Sequence, residues 1–297
     1  MKGILLMAYG SPSSLDQVGD YFTSIRRGRR PTEQEIKELE GRYAEIGGIS
    51  PLNDITNKQV ELLKNSLKAH GSCTKVYIGM KHSEPYISSV AEQIAKDRID
   101  ELLCLPLAPF YSVIGTDTYF NQVKETSMAQ NTKLHYVKSW NSEEDLIDYW
   151  ATSIGDICKG IGEFELLFTA HSLPITDMDN LETYKGQLNE TAGMVASKLN
   201  VKGWSLVFQS VGMSRGNWLG PVIYDHINSR VSSGAKNFII APIGFVSDNL
   251  ETLYDAGIKC RDLVNKSGCN TITVTAPNDS ELLVRCLYNI AEKNGFA

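Results

Sequence analysis

The sequence predicts an α/β protein made of two similar Rossmann-like domains, each a four-stranded parallel sheet flanked by helices. Three observations lead there. Eight short apolar runs alternate with amphipathic stretches along the 297 residues. The runs are apolar throughout rather than at every second position, as strands buried on both faces are. The second half also echoes the first: Leu6-Met7-Ala8-Tyr9-Gly10-Ser11-Pro12 resembles Phe168-Thr169-Ala170-His171-Ser172-Leu173-Pro174, and Pro106-Leu107-Ala108-Pro109-Phe110 resembles Pro242-Ile243-Gly244-Phe245.

The strands are expected at 3–9, 75–80, 101–107, 134–138, 165–169, 205–209, 238–243 and 271–275. Between them, Thr32 and Glu35 form a capping box that opens a helix through Ala44. Further helices are expected near 53–69, 85–97, 117–128, 142–158, 181–199, 221–232, 248–264 and 279–294. Strand–helix alternation of this kind builds parallel sheets. The eight strands divide four and four. The domains are then 1–140 and 141–297, with the last helix free to pack on either.

Composition narrows the function. A 42% hydrophobic content supports a substantial core, and a net charge of −6 argues against a nucleic-acid binder. The chain has no apolar run of transmembrane length, so no integral membrane contact is expected. The apolar start at 3–6 is cut short by Tyr9, Gly10 and Pro12, which reads as a buried strand of a cytoplasmic protein. The cysteines at 73, 104, 158, 260, 269 and 286 show no Cys-x-x-Cys spacing, so neither a zinc site, an iron–sulfur cluster nor a disulfide framework is expected.

In open α/β sheets, ligands bind beyond the carboxyl ends of the strands. Tyr9, His82, His171 and Glu251 all fall there or in the turn that follows, where a cleft between two domains would gather them. His171 precedes Leu173-Pro174, and the proline favours an exposed turn over a helix. A neutral imidazole suits Fe(II), and it also accepts protons near neutral pH. Glu251 lies in the first turn of a helix that Ser247 or Asp248 caps. Asp255 and Lys259 follow one and two turns on. The basic run Arg26-Arg27-Gly28-Arg29-Arg30 offers bidentate carboxylate binding. Gly47-Gly48 permits close approach to a flat ligand but matches no phosphate-binding spacing.

Together these segments resemble the ferrochelatase family, and within it the coproporphyrin-using branch of Gram-positive bacteria. The matching stretches are Met7-Ala8-Tyr9-Gly10-Ser11-Pro12, Ile25-Arg26-Arg27-Gly28-Arg29, Ile46-Gly47-Gly48-Ile49-Ser50-Pro51-Leu52 and Gly79-Met80-Lys81-His82-Ser83-Glu84-Pro85. They continue with Thr169-Ala170-His171-Ser172-Leu173-Pro174, Trp218-Leu219-Gly220-Pro221 and Gly244-Phe245-Val246-Ser247-Asp248-Asn249-Leu250-Glu251-Thr252-Leu253-Tyr254. They run in order over nearly the whole chain.

The resemblance implies a chelatase-like pair of domains around a porphyrin cleft. It implies Fe(II) insertion into coproporphyrin III in haem biosynthesis, with loss of two pyrrole protons. His171 and Glu251 match the iron-binding and catalytic pair. Tyr9 matches a tyrosine able to ligate product iron from the opposite porphyrin face. Arg26, Arg42, Tyr43, Ser50 and Tyr119 match residues contacting the macrocycle and its propionates, and His82 matches a second cleft histidine. Which residue takes the first proton, and from which face the iron arrives, stays open. A monomer is implied, with Fe(II) and porphyrin as its partners and no cofactor beyond substrate iron.

Two departures stand out. The family turn Gln-Ser-Glu-Gly reads Gln209-Ser210-Val211-Gly212 here, and Lys259 stands where the family has a carboxylate. In the family, those carboxylates and the residue matching Asp255 can hold an outer metal ion. The cysteine-bearing C-terminal extension of some relatives, and a hydrophobic membrane-binding lip near 15–30, are not expected.

Overall fold

The computed structural model describes residues 1–175, 178–210 and 217–297, with backbone alone at 178–179. The departing residue Val211 lies outside the described residues. The chain separates into two compact units. One comprises Met1–Ala108, Val113–Trp140 and Asn278–Ala297; the other comprises Pro109–Ser112 and Asn141–Pro277.

The first unit holds β1 (Lys2–Ala8), β2 (Lys75–Met80), β3 (Glu101–Pro106) and β4 (Lys133–Tyr136), ordered β2-β1-β3-β4 and all parallel. Ile4, Leu5, Leu6 and Met7 of β1 are at most 1% exposed, which explains why this run is apolar without alternation. Each such side chain contributes about 1.5–3 kcal/mol by leaving water. One face is covered by α4 (Ile87–Lys96) and α5 (Thr116–Lys124), through Ile87, Ile94, Phe120 and Val123.

The helices α1 (Val18–Ile25), α2 (Glu33–Glu45) and α3 (Leu52–Ala69) complete this unit with the terminal α10 (Glu281–Lys293), which packs on α3. The second domain expected over 141–297 therefore ends at Pro277. Lys58 pairs with Asp279, and Gln59 donates to the Asn278 carbonyl, fixing the returning chain against α3. The Thr32–Glu35 capping box forms. Helix α1 was not expected. Its Gly19 and β-branched residues are weak helix formers, and it is stabilised instead by packing on α2.

The second unit repeats this topology. Its strands β5 (Glu165–His171), β6 (Trp204–Gln209), β7 (Asn237–Ala241) and β8 (Asn270–Thr273) are ordered β6-β5-β7-β8, all parallel. The helices are α6 (Glu144–Cys158), α7 (Met178–Leu199), α8 (Ile223–Ser232) and α9 (Cys260–Lys266). Leu167, Val207, Phe238 and Ile240 of the sheet pack against Ile223, Ile227, Ala256 and Val264. The single helix expected over 248–264 is in fact a π-helix, Glu251–Lys259, running into α9. Such i→i+5 turns are rare and concentrate at functional sites. Among the described residues, no helix is long and apolar enough to cross a membrane.

Candidate active site

In the second unit, β5 leads through α7 to β6 on one side, while β7 leads through the π-helix and α9 to β8 on the other. The crevice of a doubly wound sheet opens at that reversal, beyond the carboxyl ends of β5 and β7. His171 is the last residue of β5, and Glu251 opens the π-helix after β7.

The chain brings them together by close backbone packing. Gly244 N donates to the Thr169 carbonyl at 3.1 Å. A Cβ on Gly244 would meet Ala170 Cβ at 2.6 Å and Ala170 Cα at 2.8 Å. Only glycine lets the segment after β7 cross the end of β5 this closely. Asn249 then starts the π-helix: its Oδ1 accepts from Glu251 N (2.8 Å) and Thr252 N (3.1 Å). The cap is thus Asn249, not Ser247 or Asp248. Asp248 is engaged elsewhere, accepting from Ala276 N and Thr252 Oγ1.

His171 Nδ1 lies 3.1 Å from Glu251 Oε1, with side chains 37% and 36% exposed. The distance suits an ion pair, while Nδ1 is a buried atom without a directed hydrogen bond. The contact is therefore electrostatic and is strongest once the imidazole has taken a proton. Although a third of each side chain reaches solvent, burial is the largest influence on both. Burial pushes His171 down, yet the Glu251 carboxylate, and beyond it Asp255, outweigh this and raise its pKa. Burial likewise pushes Glu251 up, and the His171 charge overrides it to hold Glu251 below the usual carboxylate value.

Two braces had no signal in the sequence as supports. Gln209, fully buried at the end of β6, accepts from Thr169 Oγ1 (3.2 Å) and donates to the Glu251 carbonyl (3.1 Å). Tyr184 of α7 donates to the His171 carbonyl at 3.2 Å. A polar residue closing an apolar run, as Gln209 does, was the one available clue. Further along the π-helix, Asp255 accepts from Ser210 Oγ (2.6 Å) and Tyr224 OH (3.3 Å).

The first unit places Tyr9 and His82 just beyond the corresponding strand ends, with Tyr119 nearby on α5. Gly10, with φ +83°, turns the chain after β1 and passes within 2.3 Å, at a notional Cβ, of Ser83 Oγ. Tyr9 is 40% exposed, and its ring centroid lies 4.6 Å from that of His82. His82 Nδ1 is 2.9 Å from Ser24 Oγ. Burial, then the Lys81 charge, lowers His82 to about 4, so it is neutral at pH 7. Lys81 was not singled out from the sequence. Its Nζ donates to Thr118 Oγ1 at 2.7 Å and sits 5.4 Å from both the Tyr9 and Tyr119 rings. Burial, then Arg27, lowers it to about 8.

The other residues expected at the site divide. Arg26 pairs with Glu35 at 2.7 Å. Arg42 is partly exposed, on α2. Tyr43 is interior, 1% exposed, with its OH 3.4 Å from Ser11 Oγ. Ser50 and Tyr119 are also buried. Among the described residues, no group of three or more His, Cys, Asp or Glu side chains is placed to hold a metal ion. A two-donor pair with one exposed edge suits a metal in transit and a proton acceptor.

These features define a chelatase-type α/β protein. In solved structures the same fold appears in SirB from Bacillus subtilis with Fe3+ (TM-score 0.62, 14% identity, 100% of this chain and 99% of that one). It appears again in CbiX, described as the terminal enzyme for biosynthesis of siroheme in denitrifying bacteria (TM-score 0.54, 11% identity, 100% of both chains). More specifically, the ferrochelatase family pattern matches residues 1–295. A coproporphyrin III ferrochelatase of Oceanobacillus iheyensis is 36% identical over 299 residues, 98% of this chain and 96% of the relative. One of Bacillus mycoides is 34% identical over 302 residues, with the same coverage of each. The chain belongs to the ferrochelatase family.

Proposed function

We propose that this enzyme inserts Fe(II) into coproporphyrin III, releasing two pyrrole protons, as a step of haem biosynthesis. The observation that carries this reading is the His171–Glu251 pair, 3.1 Å apart at the reversal point of the second sheet. Membership of the ferrochelatase family supports it, as do relatives that carry the name coproporphyrin III ferrochelatase.

The free-base ring carries two N–H protons that the metal replaces. Their loss needs an acceptor with free access, and general bases work best with pKa values near the operating pH. His171 is that acceptor, and it is also a nitrogen ligand for iron in transit. Glu251 stabilises the imidazolium once the proton has arrived, and the exposed edge of the pair lets the proton leave to solvent. In the first unit, Tyr9 and the neutral His82 offer an aromatic surface suited to a flat macrocycle, and the basic run at 26–30 suits its carboxylates. No cofactor beyond the ferrous substrate enters this reading, in keeping with the scattered cysteines.

The test is anaerobic Fe(II) insertion into coproporphyrin III and protoporphyrin IX, side by side. Faster turnover of coproporphyrin III is expected. Equal rates would overturn the substrate assignment, and no turnover of either would overturn the activity.

A further inference from the structure

The π-helix carries a cation of its own beside Asp255. Lys259 Nζ is 3.7 Å from Asp255 Oδ1, with the carboxylate side chain only 9% exposed. The ammonium also lies 4.6 Å from the Tyr224 ring centroid and 5.9 Å from that of Tyr254, both within cation–π range. Both carboxylate oxygens of Asp255 are meanwhile engaged. Oδ2 accepts from Ser210 at 2.6 Å, and Oδ1 takes Tyr224 at 3.3 Å as well as the lysine. Two carboxylates and one ammonium leave the line Glu251–Asp255–Lys259 a single negative charge. Of the two carboxylates, Glu251 is the one that faces His171.

We propose that Lys259 is a tethered cation standing in for a resident divalent cation beside Asp255, so that His171 and Glu251 meet only metal in transit. A magnesium ion at Asp255 would have to displace a seated ammonium and recruit oxygens already hydrogen-bonded. It sheds its own water reluctantly and requires near-octahedral oxygen ligation. Replacing Lys259 by glutamate removes the ammonium and sets a third carboxylate after Glu251 and Asp255 along the π-helix. The inference rests on reading His171–Glu251 as a metal-handling pair, but its test uses neither iron nor porphyrin. Failure of iron insertion would sink that reading and leave the magnesium result standing.

The whole chain is titrated with Mg2+ alone by calorimetry, in wild type, Lys259→Glu, Lys259→Gln and the Lys259→Glu/Asp255→Asn pair. Wild type is expected to show no Asp255-dependent binding at millimolar Mg2+. Lys259→Glu is expected to bind one Mg2+ per chain at least about tenfold more tightly, and Asp255→Asn to remove that gain. Lys259 is 42% exposed, so Lys259→Gln keeps the fold even if the glutamate does not, and a few-fold gain over wild type is expected of it. Wild-type binding as tight as that of Lys259→Glu overturns the proposal. So does the absence of any gain in both single variants.

Discussion

The two units share one strand order, β2-β1-β3-β4 and β6-β5-β7-β8, yet the end of β1 and the end of β5 are chemically unlike. After β1 the chain presents Tyr9, backed by a His82 lowered to about 4 and a Lys81 lowered to about 8. There burial dominates and the imidazole stays uncharged. At the end of β5 it presents His171, raised by Glu251 despite burial. A carboxylate delivered by the segment after β7 makes the difference. The same scaffold position thus offers an aromatic surface in one unit and an acid–base pair in the other. The lesson is that topology places a residue at the reversal point, while neighbours brought in from the next crossover set its protonation.

The sharpest way to break this contrast is His171→Ala. Iron insertion is expected to fall about a thousandfold in a stopped anaerobic assay, while porphyrin binding, followed by fluorescence quenching, persists. Near-normal turnover would remove His171 from the chemistry. Glu251→Gln comes next, with a loss of about tenfold to a hundredfold. It takes away the anion that raises His171, so the acid limb of the pH–rate profile moves to lower pH. A limb that stays in place would mean that Glu251 does not set the protonation of His171.

Smaller effects probe stability. Gly244→Ala forces a Cβ into Ala170 and is expected to cost about 1–3 kcal/mol in urea unfolding, because backbone as well as side chain must shift. The histidines of the two units also respond to pH with opposite signs. His82 is depressed in the fold, so it costs nothing above its unfolded pKa. It penalises the fold as pH drops from about 6.5 toward the folded value of about 4. His82→Gln is expected to relieve about 2 kcal/mol of acid sensitivity in that window. His171 is raised, so its contribution is complete below the unfolded value and is lost as pH climbs through the raised one. Glu251 is lowered, so its contribution is present above the ordinary carboxylate pKa and is lost on acidification. Stability curves of His171→Gln and His82→Gln that bend the same way would erase the distinction. Last, Tyr9→Phe is expected to leave the initial insertion rate within about threefold while altering the absorption spectrum of the bound iron product.

The sequence by itself carried the strands, the parallel sheets and the doubled architecture, because strands buried on both faces must be apolar at every position. The Thr32–Glu35 cap was equally legible, since its bonds are local. His171, Glu251 and Tyr9 were singled out at the limits of apolar runs, where strand ends fall, and the resemblance to ferrochelatases supplied their expected roles. Local pattern missed α1, a weakly helical segment stabilised by α2, and it found α10 but left open which unit that helix joins, since its partner α3 lies far back in the chain. It failed again at the π-helix, since a hydrophobic pattern does not separate π from α geometry over one or two turns. The tertiary structure alone decided how the pair is held. Gly244 lying against Ala170, Gln209 and Tyr184 bracing the backbone, and Lys259 seated on Asp255 are contacts between distant segments or between neighbours on a helix whose π geometry was unforeseen. A residue's type and its place in the chain fix what chemistry it has available. Only packing fixes its charge and its partner.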